Sequence, residues 1–416
     1  MERKILHADL NNFYASVECL LHPEYRNVPL AVTGDPEKRH GIVLSKNEAA
    51  KALGVKTGEV IWKARQKCGE LLCIAPHFDE YMHFSRQMRE IYRRYSPRVE
   101  PFGLDEAWVD MTESGLTLQE AADLFRALAK EELGLTISVG ASFNKVFAKL
   151  GSDMKKPDGT TVITRENYRE KVWPLPVEEL LYVGPATKQK LNRVGIMTIG
   201  ALANADPRAL RSMLGKWGDT LGAYARGEDA APVARTDEAS LVKSVGNSAT
   251  TPRDLCTEED VKCLVYLLSE SVASRLREQG LEAAVVSISV RDDRLYTYTR
   301  QSKLKTPTCL SGVIAQTAME LFLKSYLWNR PVRSLGVACS QLSSAGAERQ
   351  LSCFDQEERT QEARKNLENT IDGLRRRFGN RVVVRAMMVK SDVAQGDPKR
   401  DHVIYPAGFQ EKPEFW

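Results

Sequence analysis

The sequence predicts a multidomain α+β protein, and three observations carry that expectation. The chain has 416 residues, too many for one hydrophobic core. Its first 165 or so residues alternate strand-like apolar runs with helical periodicities, as an α/β or α+β sheet domain does. After residue 243 the order becomes strand, helix, strand, strand, helix, strand, the pattern of a split βαβ domain.

Each element has its own signal. Residues 3–10 read as a buried strand. Helical patterning follows near Ala15–Leu20, Asn47–Leu53 and Val60–Lys67, around a short strand at 29–32. Residues 79–95 place Tyr81, Phe84, Met88, Ile91 and Tyr92 at helical spacing. A hairpin is expected over 99–111, a helix over 119–132 and a strand over 135–141. Residues 174–226 read as short helices broken by Gly184, Gly195, Gly200 and Gly215, and the polar, alanine-rich stretch 227–238 as a linker. Beyond it come a strand from Lys243, a helix (259–279), strands (284–291 and 296–304), a helix (311–324) and a strand (332–342). A last helix at 357–378 precedes a strand-like run, 382–389. The final 25 or so residues read as extended or disordered.

Composition bounds the function classes. Hydrophobic residues make up 43% and charged residues 27%, the balance of a globular protein rather than a disordered one. No apolar run is long enough to span a bilayer, and charged residues lead straight into the first strand with no signal-peptide pattern. A cytoplasmic protein with no membrane contact is expected. None of the eight cysteines forms a C-x-x-C pair and no histidines cluster with them, so reduced thiols are expected and a zinc site is not. The net charge of +4 does not identify a nucleic-acid partner by itself, because local Lys and Arg clusters govern counterion release.

The chemistry lies in three carboxylates on two short segments. Asp9 ends the apolar run Ile5-Leu6-His7-Ala8 and is followed by Asn12-Phe13-Tyr14. Asp105 and Glu106 lie in Glu100-Pro101-Phe102-Gly103-Leu104-Asp105-Glu106-Ala107-Trp108. Three acids in one cleft cannot all stay ionised without cations, and hard oxygen ligands select magnesium-type ions. Two such ions about 3.5–4 Å apart clamp the attacking and leaving oxygens of a phosphoryl transfer. The alternative is plain: an Asp at a strand end also serves as a cap, and Asp-Glu pairs decorate solvated hairpins. Adjacent strand residues also point to opposite faces, so Asp105 and Glu106 share a site only if Pro101 and Gly103 make a tight turn.

Together, in this order, these segments resemble the Y family of DNA polymerases, its DNA polymerase IV branch most closely. His7-Ala8-Asp9-Leu10-Asn11-Asn12-Phe13-Tyr14-Ala15-Ser16-Val17-Glu18 is similar to the family's first motif and Leu104-Asp105-Glu106-Ala107 to its second. Ser142-Phe143-Asn144-Lys145-Val146-Phe147-Ala148-Lys149-Leu150, followed by Asp153 to Gly159, supplies a third match. The resemblance implies a right-hand-like polymerase: palm (1–14 and 78–166), small fingers (15–77), helical thumb (167–232), linker (233–242), split βαβ little finger (243–345) and C-terminal tail (346–416). It implies low-fidelity, template-directed synthesis across lesions. Asp9, Asp105 and Glu106 would be catalytic and would hold two Mg2+ ions with the Leu10 carbonyl. Phe13 and Tyr14 would meet the incoming deoxynucleotide, Tyr14 lying under its sugar to exclude a 2′-hydroxyl. Ser45, Lys51 and Lys156 would touch the triphosphate. Val32, Leu44 and Gly58 would roof the nascent base pair.

One departure stands out. Relatives usually carry Tyr and Arg where this chain has Glu48 and Lys51. Lys51 keeps the charge without the guanidinium fork, and an ionised Glu48 cannot donate to phosphate.

The DNA-holding parts follow from the same resemblance. Residues 178–200 resemble a helix-hairpin-helix, with Tyr182 in place of the first glycine; Gly184, Thr187 and Lys188 would meet a DNA phosphate. Arg291, Arg294 and Arg300, with Lys303 and Lys305, would lie along the DNA backbone on the open face of the little-finger sheet, although such charges also serve as a solvated face. Gln350-Leu351-Ser352-Cys353-Phe354 resembles a bacterial sliding-clamp motif, with Gln350, Leu351 and Phe354 as its anchors. The implied partners are primer-template DNA, dNTPs and the clamp, with the protein a monomer. Two alternatives remain at this point: a polymerase V catalytic-subunit type needing accessory proteins, and a catalytically weak DNA- and clamp-binding scaffold.

Overall fold

The computed structural model describes residues 2–35, 41–237, 241–345, 358–389 and 391, with backbone alone for 358–361. Two compact units emerge: among the described residues, the first holds those up to Gly34 and from Ile42 to 237, and the second those from Leu241 on, with Asp35 and Gly41.

In the first unit, strand β1 (Ile5–Leu10) runs into helix α1 (Phe13–Leu21). Strands β2 (Leu30–Thr33) and β3 (Val43–Lys46), helices α2 (Glu48–Ala52) and α3 (Ile61–Lys67) and strand β4 (Leu72–Ile74) follow. Then come α4 (Phe78–Arg93), β5 (Val99–Pro101), β6 (Glu106–Asp110), α5 (Leu118–Leu133), β7 (Ile137–Ser142), α6 (Lys145–Met154) and β8 (Thr160–Ile163). The main sheet has the order β5-β6-β1-β7-β8, and a smaller one the order β3-β2-β4. β1 is central and antiparallel to both β6 and β7. It is buried on both faces, which is why it reads as a continuous apolar run. Leu6, Ala8 and Leu10 pack in one core with residues of α4 and α5. Ile5 joins Trp108 and Ala148 on the opposite face, so the period of two puts His7 and Asp9 on that face too, toward α6.

Local chemistry sets the helix boundaries. Thr117 and Glu120 form a capping box at the start of α5, and Gly134 ends it at φ 65°. The Asn144 side chain accepts from Phe147 N and starts α6. A helical group follows: α7 (Tyr168–Lys171), α8 (Pro185–Arg193), α9 (Ile199–Ala203), α10 (Pro207–Leu214) and α11 (Lys216–Ala225). It shares a core with Phe143, Val146 and Phe147.

The stretch read as a linker, 227–238, is no free tether over its described length, and the same holds for 233–237 of the narrower 233–242 assignment. Val233 is fully buried with Ile5, Trp108 and Ala148. Its carbonyl accepts from Arg98 at 3.3 Å, and Thr236 N donates to Pro97 O at 3.1 Å. One apolar side chain in a polar, alanine-rich run pins the segment, which composition does not reveal.

The second unit contains β9 (Ser244–Leu255), α12 (Glu258–Glu278), β10 (Leu281–Asp292), β11 (Thr297–Thr308), α13 (Ser311–Ser325) and β12 (Val332–Ser344). The sheet order β11-β10-β12-β9 is antiparallel throughout. Each crossover therefore joins parallel strands with another strand between them, the split βαβ arrangement expected. Helices α14 (Glu358–Phe378) and α15 (Ala386–Val389) follow. The run 382–389, expected as a strand, ends in α15 instead; among its described residues Met388 is buried, and the Met387 carbonyl lies 3.4 Å from Cys263 Sγ. The seven described cysteines are free. The final 25 residues fall outside the described residues.

α14 is held by buried charge. Arg277, 6% exposed at its side chain, meets Asp372 Oδ2 at 2.8 Å, the Glu368 carboxylate and the Cys309 carbonyl. Glu368 also accepts from Ser311 N at 3.0 Å and so caps α13. Removing one partner leaves a buried charge unpaired, which costs about 3–5 kcal/mol. Asp372→Ala should therefore lower the urea midpoint of this unit, whereas Glu362→Ala on the exposed side of α14 should leave it within about 0.5 kcal/mol.

Candidate active site

The site forms where β1 and β6 end together. Asp9 pairs with Glu106 across the ladder, as His7 pairs with Trp108. Asp105 sits just before β6, in a turn whose Phe102 N donates to Glu106 O at 2.9 Å. The Asp105 carbonyl accepts from Leu10 N at 2.9 Å. The turn answers the objection about adjacent side chains. A Cβ placed on Gly103 would lie 3.3 Å from Asp105 Oδ1 and 3.4 Å from Glu106 Cγ, so both acids flank the same glycine. From α4, Arg89 donates to Gly103 O at 2.8 Å and Ser85 to Leu104 O. The turn is thus fixed from below by a buried guanidinium and a hydroxyl.

The charge balance comes from two lysines. Lys149 Nζ stands 2.7 Å from Glu106, 3.4 Å from Asp9 and 3.3 Å from Asp153. Lys156 Nζ stands 2.9 Å from Asp9 and 2.8 Å from Asp153. Burial opposes the Lys149 charge, but Glu106, Asp9 and Asp153 outweigh it and raise its pKa. The Lys156 turn is anchored to α5, because Arg126 and Lys130 both clasp Asp158. Even so, the protein does not hold all three acids readily ionised. Burial, then Asp9 and Glu106, push the Asp105 carboxyl up to about 7. Burial also raises Glu106, against the pull of Lys149.

His7 lies beneath, fully buried. Ser152 Oγ donates to Lys149 O at 2.7 Å and stands 2.9 Å from His7 Nδ1. His7 Nε2 faces Glu106 Oε2 at 3.5 Å without a hydrogen bond. Burial, then Lys149 and Lys156, hold its pKa well below the ordinary range.

Among the described residues, no three His, Cys, Asp or Glu side chains gather tightly enough to hold a metal ion; ammonium groups stand among the carboxylates instead. The donor set still fits a hard divalent cation. Three carboxylates meet at two strand ends, and burial and then the neighbouring acids raise the Asp105 pKa, so a cation there would meet oxygen donors that repel one another.

The remaining expected residues fall as follows. Tyr14 is half-buried, stacked on Tyr81 with ring centroids 4.3 Å apart. Its hydroxyl is pushed up to about 12 by burial and then by Asp105. Phe13 belongs to the core at 3% exposure, so it supports Tyr14 rather than facing a ligand. Val32 is likewise fully buried and cannot roof a base pair, whereas Leu44 is half-exposed and Gly58 exposed at φ 82°. Ser45 Oγ is engaged at the start of α1, donating to Asn12 O at 3.1 Å and accepting from Ala15 N at 3.4 Å. Glu48 Oε1 accepts from Asn12 at 2.6 Å and lies 3.2 Å from Lys51 Nζ, so the two unusual residues neutralise each other.

In the expected hairpin, the first helix is only a 3₁₀ turn, Val177–Glu179. Tyr182 supplies φ 70°, the left-handed conformation a glycine usually provides. Gly184 caps α8, which carries Thr187 and Lys188; Lys188 pairs with Glu178. In the second unit, register corrects one assignment. Arg291 pairs with Thr297 and Lys303 with Val285 on the face away from the helices. Arg300 instead pairs with Ile288, a core residue on the helix side, and its guanidinium lies 5.0 Å from the Tyr298 ring. It stays exposed because β11 is an edge strand. Arg294 sits in the hairpin turn. Gln350, Leu351 and Phe354 lie outside the described residues.

Sequence reasoning gave His7, Lys149 and Asp153 no role. A usable signal existed in the glycines. A Cβ on Gly140 of β7 would meet Ala148 O at 1.9 Å and Ser152 N at 2.3 Å, so α6 docks directly on the strand backbone.

The chain matches the impB/mucB/samB family model over residues 8–153 and the model of that family's C-terminal domain over 242–353. It is 50% identical over 393 residues to the DNA polymerase IV of Acetivibrio thermocellus, covering 94% of this chain and 98% of that protein. With DNA polymerase IV 1 of Bacillus subtilis it shares 37% identity over 395 residues, 94% of each. A solved Y-family DNA polymerase chimera has the same fold, with a TM-score of 0.71 at 23% identity over 81% of this chain and 98% of that one.

The close approach at Gly140 gives a test of how the lysines are placed. Gly140→Ala should push α6 off the sheet and destabilise the first unit by about 1–3 kcal/mol or more. Gly69→Ala, at an open position of the same unit with no left-handed φ, should cost less than that; urea unfolding of both variants makes the comparison.

Proposed function

Because the chain belongs to the impB/mucB/samB family of Y-family DNA polymerases, we propose that it is a translesion enzyme extending a primer 3′ end on a DNA template. The observation that carries the reading is the meeting of Asp9, Asp105 and Glu106 at two strand ends, with Lys149 and Lys156 supplying the counter-charge. Three acids knitted to two ammonium groups, one of them on a lysine only 16% exposed, make no sense as a solvated surface. They suit a reaction in which negative charge arrives with the substrate.

Family membership brings dependence on a divalent metal. We take the ions to be two Mg2+, held by Asp9, Asp105, Glu106 and the Leu10 carbonyl. When bound, they supply stabilisation of charge on the attacking and leaving oxygens of phosphoryl transfer. The chain's own groups do the rest. Lys156 is placed to exchange Asp9 for a nucleotide phosphate. Tyr14, packed among Phe13, Phe78 and Tyr81, presents a fixed ring edge beneath the sugar. Lys51, balanced by Glu48, contributes less to triphosphate binding than an arginine would. Gly184, Thr187 and Lys188 hold a DNA phosphate, Arg291 and Arg294 the duplex backbone, and Arg300 reaches it only from the sheet edge. The clamp motif at 350–354 tethers the enzyme to a bacterial sliding clamp and raises its effective concentration at the primer end. We place it in the cytoplasm as a monomer; among the described residues no helix is long and apolar enough to cross a membrane. The intact acids disfavour the scaffold, and the 50% and 37% identity to DNA polymerase IV proteins disfavours the accessory-dependent type.

Purified Asp9→Ala or Asp105→Ala should lose primer extension by at least about 10²–10³-fold while still binding primer-template in a gel shift. Chelating the divalent metal should stop the wild type equally. Near-normal extension by Asp9→Ala would sink the assignment. Tyr14→Ala should admit ribonucleotides, read as the ratio of kcat/KM for dNTP over rNTP. Replacing Gln350, Leu351 and Phe354 with Ala should abolish clamp stimulation and leave clamp-free extension unchanged.

A further inference from the structure

Glu18 is a buried carboxylate that the reaction does not use. Its side chain is 1% exposed, and it lies one turn beyond Tyr14 on α1, on the same helical face. Tyr81, from α4, touches both residues: its ring stacks on Tyr14 at 4.3 Å and 10°, and its hydroxyl donates to Glu18 Oε1. His77, one turn before Tyr81, places Nδ1 2.8 Å from the same oxygen and, facing a carboxylate, donates. Glu18 Oε2 is buried with no hydrogen-bond partner.

Burying a carboxylate with one oxygen unpaired is costly. An apolar residue would join α1 to α4 without that cost. What the carboxylate adds is direction, because it fixes the rotation and depth of the Tyr81 ring through the hydroxyl. Burial and then the Glu18 bond raise the Tyr81 pKa far above its ordinary value, so the hydroxyl stays a donor. Without such a bond, ring packing alone from Phe13, Tyr14 and Phe78 sets where the Tyr81 ring sits along the stack. A ring that must separate a hydrogen from a hydroxyl on a sugar cannot slide.

We propose that Glu18 is a positioning residue for sugar selection: it bolts Tyr81 by its hydroxyl, and Tyr81 in turn backs the Tyr14 ring. The proposal rests on the reading of Tyr14 as the residue beneath the sugar. His77 completes the bolt from the solvent side and keeps the shared oxygen in place.

Single-nucleotide insertion with matched dNTP and rNTP tests it on the full chain. Tyr81→Phe keeps the stacked ring and removes only the bond to Glu18. It should lower discrimination, the ratio of the two kcat/KM values, about tenfold or more, while kcat for dNTP stays near wild type. Glu18→Ala should do the same. Glu18→Gln, which keeps an acceptor oxygen, should restore discrimination. In a Tyr14→Ala background, Tyr81→Phe should change discrimination no further. A thermal melt of each variant identifies misfolding, and Tyr81→Phe, the smallest change, decides the matter if Glu18→Ala does not fold. If Tyr14→Ala relaxes discrimination while Tyr81→Phe and Glu18→Ala match wild type, the bolt is overturned and the Tyr14 reading stands. If Tyr14→Ala itself discriminates as wild type, both are overturned.

Discussion

The site depends on a balance of charge that the strands cannot supply for themselves. Asp9, Asp105 and Glu106 arrive on β1 and on the turn into β6, and nothing on those segments is positive. The compensation comes from α6 and from the turn after it. Lys149 and Lys156 act as internal counterions, and Asp153 holds the two ammonium groups together. This arrangement explains several features at once. Gly140 must be a glycine so that α6 approaches closely enough. Asp158 must be clasped by Arg126 and Lys130 so that Lys156 returns to the sheet. Burial, and then the two lysines, hold the His7 pKa well below its ordinary value.

Much of this was legible in the sequence, and the reasons are local. β1 reads correctly because it is buried on both faces, so apolar residues flank its two polar members, His7 and Asp9, on every side. The acids stand out because Asp9 and the Asp105-Glu106 pair are carried on short apolar strands. The split βαβ unit reads correctly because its two long helices are separated by a hairpin with clear turn residues. Other features rest on information the local pattern does not hold. The pinning of 227–236 rests on one buried valine and on hydrogen bonds to Arg3, Pro97, Arg98 and Glu100, all distant in sequence. Residues 382–389 form a nearly continuous apolar run like that of a buried strand, yet their end is helical. Arg300 looked like an outward strand residue, yet its face is set by register with β10, which a single strand does not disclose. Lys149 was hidden for the same reason: its partners lie on strands distant in sequence.

The substitutions peculiar to this chain also become intelligible. Glu48 pairs with Lys51 and accepts from Asn12, so the two residues leave no stray charge at the start of α2. Tyr182 occupies a left-handed backbone position reserved elsewhere for glycine, and its ring stands edge-on to Trp217 at 5.5 Å. That contact offsets part of the backbone cost. In both places the chain departs from its family's pattern and compensates with a neighbour.

The strap from Asp229 to Thr236 bears on how the protein comes into being. Arg3 donates to the carbonyl of Ala231, 228 residues later in the chain, and Val233 closes the cluster containing Ile5 of the strand that carries Asp9. On the ribosome the first strand emerges long before its last packing partner has been made. Contacts of such sequence separation form slowly, and apolar surface exposed meanwhile invites association with other chains. The nascent polymerase therefore passes through a long interval in which its acids are present but the floor beneath them is open. Synthesis of the strap, rather than of the catalytic motifs, marks the moment at which the first unit is complete.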